Sequence, residues 1–142
     1  MTAGQTILKA LDAFNRHDAA AFAALYASDA VAYDPMYPEP PRGKGAIQRD
    51  IEQFFRAFPD VRCEVVGQVL ETGSETAVRL RGTGTNRGPL AMPEGEQPAT
   101  GRSVDFDLAI FCQVGQDGLI QQEHRYMDMV RILGQLGLLQ QP

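Results

Sequence analysis

Residues 102–114 constrain the fold more than any other stretch of the chain. Val104, Phe106, Leu108, Ile110, Cys112 and Val114 recur at every second position. A period of two puts them on one face of a strand. Ser103, Asp105, Asp107, Ala109, Phe111 and Gln113 fall on the other face. A strand this long, with one face unbroken in its apolar character, needs a sheet beside it and a layer over that face. Asp105 and Asp107 oppose the apolar row, which assigns them to a wetted or subunit-facing side and not to a site. Ala109 and Phe111 share that side, where a central strand would otherwise leave them bare.

The covering layer comes first in the chain. Ile7, Leu8, Leu11 and Phe14 stand at helical spacing over residues 5–16, with Thr2 or Thr6 as cap. His17 marks an exposed junction, and Asp18 caps a shorter helix running to Tyr26, with Phe22 and Leu25 on one side. A third helix opens at Gly43-Lys44-Gly45 and carries Ile47, Ile51, Phe54, Phe55 and Phe58 as a broad apolar stripe, stopped by Pro59-Asp60. Phe54 and Phe58 therefore belong to the lid of the main cavity and are candidate substrate contacts.

Between the second and third helices lies a short strand, residues 31–34, and a stiff loop with prolines at 35, 38, 40 and 41. Asp34, Tyr33 and Tyr37 give that loop an acid and two phenols. Asp34 and Tyr37 are candidate substrate contacts, and a turn-former with surface tyrosines is the plainer reading. Strand signals fill residues 61–71 and 76–83, joined by a Gly73-Ser74 turn. A glycine- and proline-rich loop then runs to Gly101, long enough to be functional or mobile. Helices followed by antiparallel strands with short turns define an α+β domain spanning residues 1–142.

The end of the chain holds the densest chemistry. Residues 119–127 form a strand after the turn Gln116-Asp117-Gly118, and a helix follows with Val130, Ile132, Leu133 and Leu136 on one face. The strand is polar on both sides. Its even positions include His124, Tyr126 and Asp128, each about 7 Å from the next on one face. An imidazole, a phenol and a carboxylate in a row suit a small ligand, and these three are the candidate catalytic residues. Asp128 is equally placed as an N-cap, His124 as a satisfied core histidine and Tyr126 as a lining aromatic.

Charge and composition narrow the partners. A net charge of −5 with no Lys/Arg cluster speaks against nucleic acid and anionic membrane surfaces. No apolar run is long enough to span a membrane and no signal-peptide pattern stands at the N-terminus, so a cytoplasmic protein is expected. Cys63 and Cys112 are isolated, as reduced core thiols are, although sequence alone leaves a disulfide open. With His17 and His124 the only histidines, a dedicated transition-metal site is not expected.

The order of signals resembles the SnoaL-like polyketide cyclase domains of the NTF2-like superfamily. The matching pieces begin with Leu25-Tyr26, Asp34-Pro35, Gly43-Lys44-Gly45-Ala46-Ile47 and Phe58-Pro59-Asp60. They continue through Gly84-Thr85-Asn86-Arg87-Gly88-Pro89-Leu90, Ala99-Thr100-Gly101-Arg102 and Gly118-Leu119-Ile120. The last is Tyr126-Met127-Asp128 followed by Gln135-Leu136-Gly137. The resemblance implies a cone-shaped barrel, a curved, mostly antiparallel sheet packed on N-terminal helices around a deep pocket, and a homodimer through the outer sheet face. It also implies no metal or organic cofactor, and a general acid/base role for the aspartate at Asp128. Asn86 stands in a loop where many relatives carry a histidine, which makes it a further candidate substrate contact. The expected activity is acid/base chemistry, aldol cyclisation or isomerisation, on a small apolar or aromatic carbonyl compound. An epoxide or lactone hydrolase and a non-catalytic ligand-binding protein are the alternatives.

Overall fold

The structure is a computed structural model and describes residues 1–139. Helix α1 (Ala3–Asn15) starts in a reciprocal cap: Thr2 Oγ1 accepts from Gln5 N, and Gln5 Oε1 accepts from Thr2 N. Asp18 caps α2 (Ala19–Ala23) by accepting from Ala21 N. This helix is shorter than its sequence predicts, because Tyr26 already opens strand β1 (Tyr26–Tyr33) and is fully buried there. His17 is not an exposed junction. Its φ of 56° turns the chain, its Nε2–H donates to Val61 O at 2.8 Å, and its ring stacks on Phe55 at 4.5 Å.

Helix α3 (Lys44–Ala57) follows the proline loop and buries Ile47 and Ile51. Strands β2 (Arg62–Thr72) and β3 (Glu75–Thr85) form a hairpin through Gly73, whose positive φ the turn requires. The segment read as one long loop contains a small hairpin of its own, β4 (Leu90–Met92) with β5 (Gly95–Gln97). The long strand β6 (Ser103–Val114), β7 (Ile120–Met127) and helix α4 (Met129–Leu136) complete the chain.

The main sheet has the order β1-β7-β6-β3-β2. All its neighbours are antiparallel except β1 and β7, which run parallel. The fold is α+β, with a curved, unclosed sheet and the helices on its apolar side. The even row of β6 does what its period implies: Val104, Phe106, Cys112 and Val114 are buried, and the odd-numbered Phe111 is exposed. Helix α4 is pinned to β6 at Asp105, to whose carbonyl Arg131 Nε donates at 3.1 Å. Gln135 accepts from Asp105 N and donates to Asp105 O, each at 3.0 Å, while Ile132 and Leu136 pack near Val104 and Phe106. No helix among the described residues is long and apolar enough to cross a membrane.

Cys63 and Cys112 are both buried free thiols. Burial pushes the Cys63 thiol from its ordinary 9.0 up to about 12. An unfolded chain therefore releases this proton at lower pH than the folded one. The stability it contributes is complete below pH 9 and drains away as pH rises to about 12. The Tyr26 and Tyr37 phenols, both raised first by burial, act in the same direction above pH 10. Urea titrations at stepped pH are expected to show unfolding free energy falling through this alkaline window, and less steeply in Cys63→Val.

Candidate active site

Helices and sheet line an apolar cavity of about 150 Å³. Its sheet wall is built from Val78 and Leu80 of β3 and from Phe106, Leu108 and Ile110 of β6. Ile51, Phe54 and Phe58 cover it from α3, and Ile132 and Leu136 close one end from α4. Phe54 and Phe58 thus lie in the cavity wall, their rings 5.2 Å apart. At the opposite end the lining turns polar, with Asp34, Tyr37, Asp50, Glu123 and Arg125.

Pairing with β6 decides which face of β7 meets this space. Cys112, Ile110 and Leu108 stand opposite Glu123, Arg125 and Met127, so the odd residues of β7 share the cavity face. Phe111 and Ala109 stand opposite His124 and Tyr126, which puts the even residues on the outside. The expected site row is corrected accordingly. His124 is half-buried outside the cavity, stacked on Tyr33 at 4.5 Å, and Tyr126 is 57% exposed. With Tyr33, Pro35, Pro38 and Pro40 they line an outer hollow that adjoins the cavity, the two sharing Asp34, Tyr37 and Arg125. Asp128 is exposed, and its Oδ1 accepts from Arg131 N at 3.0 Å as the N-cap of α4. It lies outside the cavity wall.

A cap has a modest and specific value. Asp128→Ala is expected to lower stability by about 1 kcal/mol, whereas Asp128→Asn, itself a good cap, leaves melting and turnover at the parent level. Paired thermal melts and rate assays check both.

Asn86 also has a different job from the one expected. It is fully buried, and its Nδ2 donates to Ala57 O at 3.1 Å and Gly88 O at 2.9 Å. Its Oδ1 accepts from Thr100 N at 2.8 Å and Thr100 Oγ1 at 3.0 Å. Every hydrogen-bonding position of the amide is taken, and it ties both ends of the 86–100 loop to the end of α3. The loop presses so closely on that helix that a Cβ at Gly88 would collide with Arg56 O. No contact with a ligand is left for Asn86.

The polar end of the cavity is organised by Arg125, whose side chain is 9% exposed. Nε donates to Glu123 Oε2 at 2.7 Å, and Nη1 donates to Asp50 Oδ2 at 2.8 Å and Asp34 Oδ2 at 3.1 Å. Nη2 is buried with no hydrogen-bond partner among the described residues. Burial works against the guanidinium charge, but Glu123, Asp50, Tyr26 and Asp34 outweigh it and hold the proton well above the ordinary arginine range.

The three carboxylates are not equivalent. Glu123 is spent, since its other oxygen accepts from the buried Tyr26 hydroxyl at 2.8 Å. Asp34 uses its second oxygen on Met36 N at 2.8 Å, which shapes the proline loop. Asp50 lies beside the Tyr37 phenol, whose proton is held first by burial and then by the Asp50 charge. Asp50 is thus the cavity acid with the fewest structural obligations. Among the described residues no group of three or more His, Cys, Asp or Glu side chains has metal-binding geometry.

Arg125, Glu123 and Asp50 escaped the sequence reading, yet each left a signal. Asp50 follows Ile47 by three positions and precedes Phe54 by four, an acid placed on the apolar stripe of its helix. Glu123 and Arg125 occupy the parity that pairs with the apolar row of β6.

Helices packed on the apolar face of a curved, unclosed sheet, around an apolar cavity with buried charged groups, give an α+β fold of the NTF2-like kind. The SnoaL-like domain profile matches residues 7–123, and the chain belongs to that family. No curated protein sequence matches it. Among solved structures, IdmH of Streptomyces antibioticus, assigned as a polyketide cyclase, is 28% identical with a TM-score of 0.72, over 96% of this chain and 99% of that one. A Pseudomonas putida protein with the same assignment is 25% identical with a TM-score of 0.79, over 95% and 98% of the two chains. AclR of Streptomyces galilaeus, assigned as a hydroxylase, is 24% identical with a TM-score of 0.77 over 97% of each chain.

Proposed function

We propose that this protein is an enzyme performing cofactor-independent acid/base chemistry on a small apolar carbonyl compound held in the cavity. The observation that carries the reading is the unpartnered Nη2 of Arg125 beside Asp50, at the one polar end of an apolar space. In this reading Asp50 takes a proton from the carbon next to the carbonyl. The C–H electron pair moves into the carbonyl group, and the negative charge gathers on oxygen. Nη2 donates to that oxygen, an interaction strongest when the charge has developed. Returning the proton to another carbon completes an isomerisation, and attack of the enolate carbon on a second carbonyl, whose oxygen takes the proton back from Asp50, completes an aldol closure. The assignments of IdmH and the Pseudomonas protein support the cyclase form of this chemistry. The free buried thiols accord with a cytoplasmic setting.

The direct test is exchange of α-hydrogens of a single-ring ketone for deuterium, followed by mass spectrometry. Exchange that requires Asp50 and survives Asp128→Asn supports the reading. Saturable binding without any exchange turns it into a ligand-binding protein.

We also propose a homodimer through the outer sheet face. Phe111 is 51% and Tyr126 57% exposed, their rings meeting edge-on at 5.8 Å, an apolar patch that a second copy would cover. Light scattering at micromolar concentration is expected to give twice the chain mass, and Phe111→Glu the monomer.

A further inference from the structure

We infer that the cavity selects uncharged compounds about the size of one substituted ring, with a neutral hydrogen-bond-accepting oxygen at the polar end, and rejects carboxylates of equal size. This narrows the substrate class within the proposed function and rests on the cavity being the substrate site.

Size comes first. An apolar cavity of about 150 Å³ in another protein holds benzene, so the similar volume here fits one ring with small substituents. A fused multi-ring skeleton exceeds it, and Phe54, Phe58 and Phe106 are too large and too closely packed to yield that space cheaply.

Charge comes second. Arg125 alone would invite a ligand carboxylate, because guanidinium and carboxylate match as a two-pronged pair. Here the fork is already occupied: Glu123 holds Nε, and Asp34 and Asp50 share Nη1. One cation thus faces three acids before any ligand arrives. A ligand carboxylate would bring a fourth acid into an apolar space, with a single nitrogen, Nη2, left to meet it where a two-pronged pairing needs two. A ketone, aldehyde, ether or epoxide oxygen can accept from Nη2 alone and brings no charge. Asp50 adds to the selection by lying where an anionic head would have to sit.

Acetophenone and benzoate test this directly, since both have about nine heavy atoms and differ chiefly in charge. Calorimetry near neutral pH, with methyl NMR of Leu80 and Ile132 to locate the ligand, is expected to show acetophenone in the cavity and benzoate weaker by about tenfold or more. Asp50→Asn removes one acid from the cluster and is expected to narrow that ratio. Anthrone, a three-ring ketone, is expected not to displace acetophenone. Equal or tighter binding of benzoate, displacement by anthrone, or no saturable acetophenone binding each overturns the inference. Selective acetophenone binding without hydrogen exchange leaves the inference standing and removes the catalytic reading. Asp50-dependent exchange alongside equal benzoate affinity does the reverse.

Discussion

Arg125→Met is expected to lower the unfolding free energy by about 3–5 kcal/mol, the usual result of deleting one partner from a buried ionic cluster. Methionine fills much of the same space, so the loss is not mainly one of packing. It comes from Glu123, Asp34 and Asp50, which keep their charges and lose their cation. A domain of this size has about 5–15 kcal/mol in hand, so the variant is expected to fold but melt much earlier. Urea titration gives the number. Adding Glu123→Gln is expected to recover part of the loss, because one uncompensated charge goes with it. A cost under about 1 kcal/mol for Arg125→Met would show that the cluster does not hold loop, helix and strand together.

The second large effect is on rate. Asp50→Asn is nearly isosteric and leaves Glu123 and Asp34 on the guanidinium, so the fold is expected to persist. An amide cannot take up the substrate proton. Exchange or turnover is expected to fall by about 10²-fold or more, while affinity for a neutral ketone changes little. Tyr37→Phe gives a useful contrast. It removes the phenol beside Asp50 but leaves the base, and is expected to fall between Asp50→Asn and the parent. An Asp50→Asn variant with the parent's rate would remove Asp50 from the chemistry.

Much of the fold was legible because its signals are local. The period of two in β6, the helical stripe of α3 and the caps at Thr2, Asp18 and Asp128 each depend on residues a few positions apart. The site was legible only where it shares that property, as with Phe54 and Phe58 on the α3 stripe. Strand β7 is polar on both faces, so its own parity cannot say which side is inside. Its register against β6 settles the matter, and register is a non-local quantity in which one step exchanges the faces. The buried ion cluster was hidden for a related reason. Glu123 is 2% exposed, against the habit of its residue type, and hydrogen bonds from Tyr26, Arg125 and the Cys112 thiol make that tolerable. The Arg125 relation is local, two residues on along one strand face, but Tyr26 lies 97 residues away and cannot be read from the residues flanking Glu123.

The distances along the chain within that cluster bear on how the protein is made. Arg125 follows Asp34 by 91 residues and Asp50 by 75, and it sits in the final strand. At about 5–20 residues per second, a ribosome leaves the two aspartates without their counter-ion for several seconds. Until β7 aligns on β6, both carboxylates are best served by water, which holds the proline loop and α3 away from the sheet. The nascent chain is therefore expected to expose the apolar row of β6 as soon as it emerges, a surface for chaperones rather than for substrate. Synthesis of the last strand supplies the cation, the paired edge and the wall of the cavity together, and the pocket closes in that one late event.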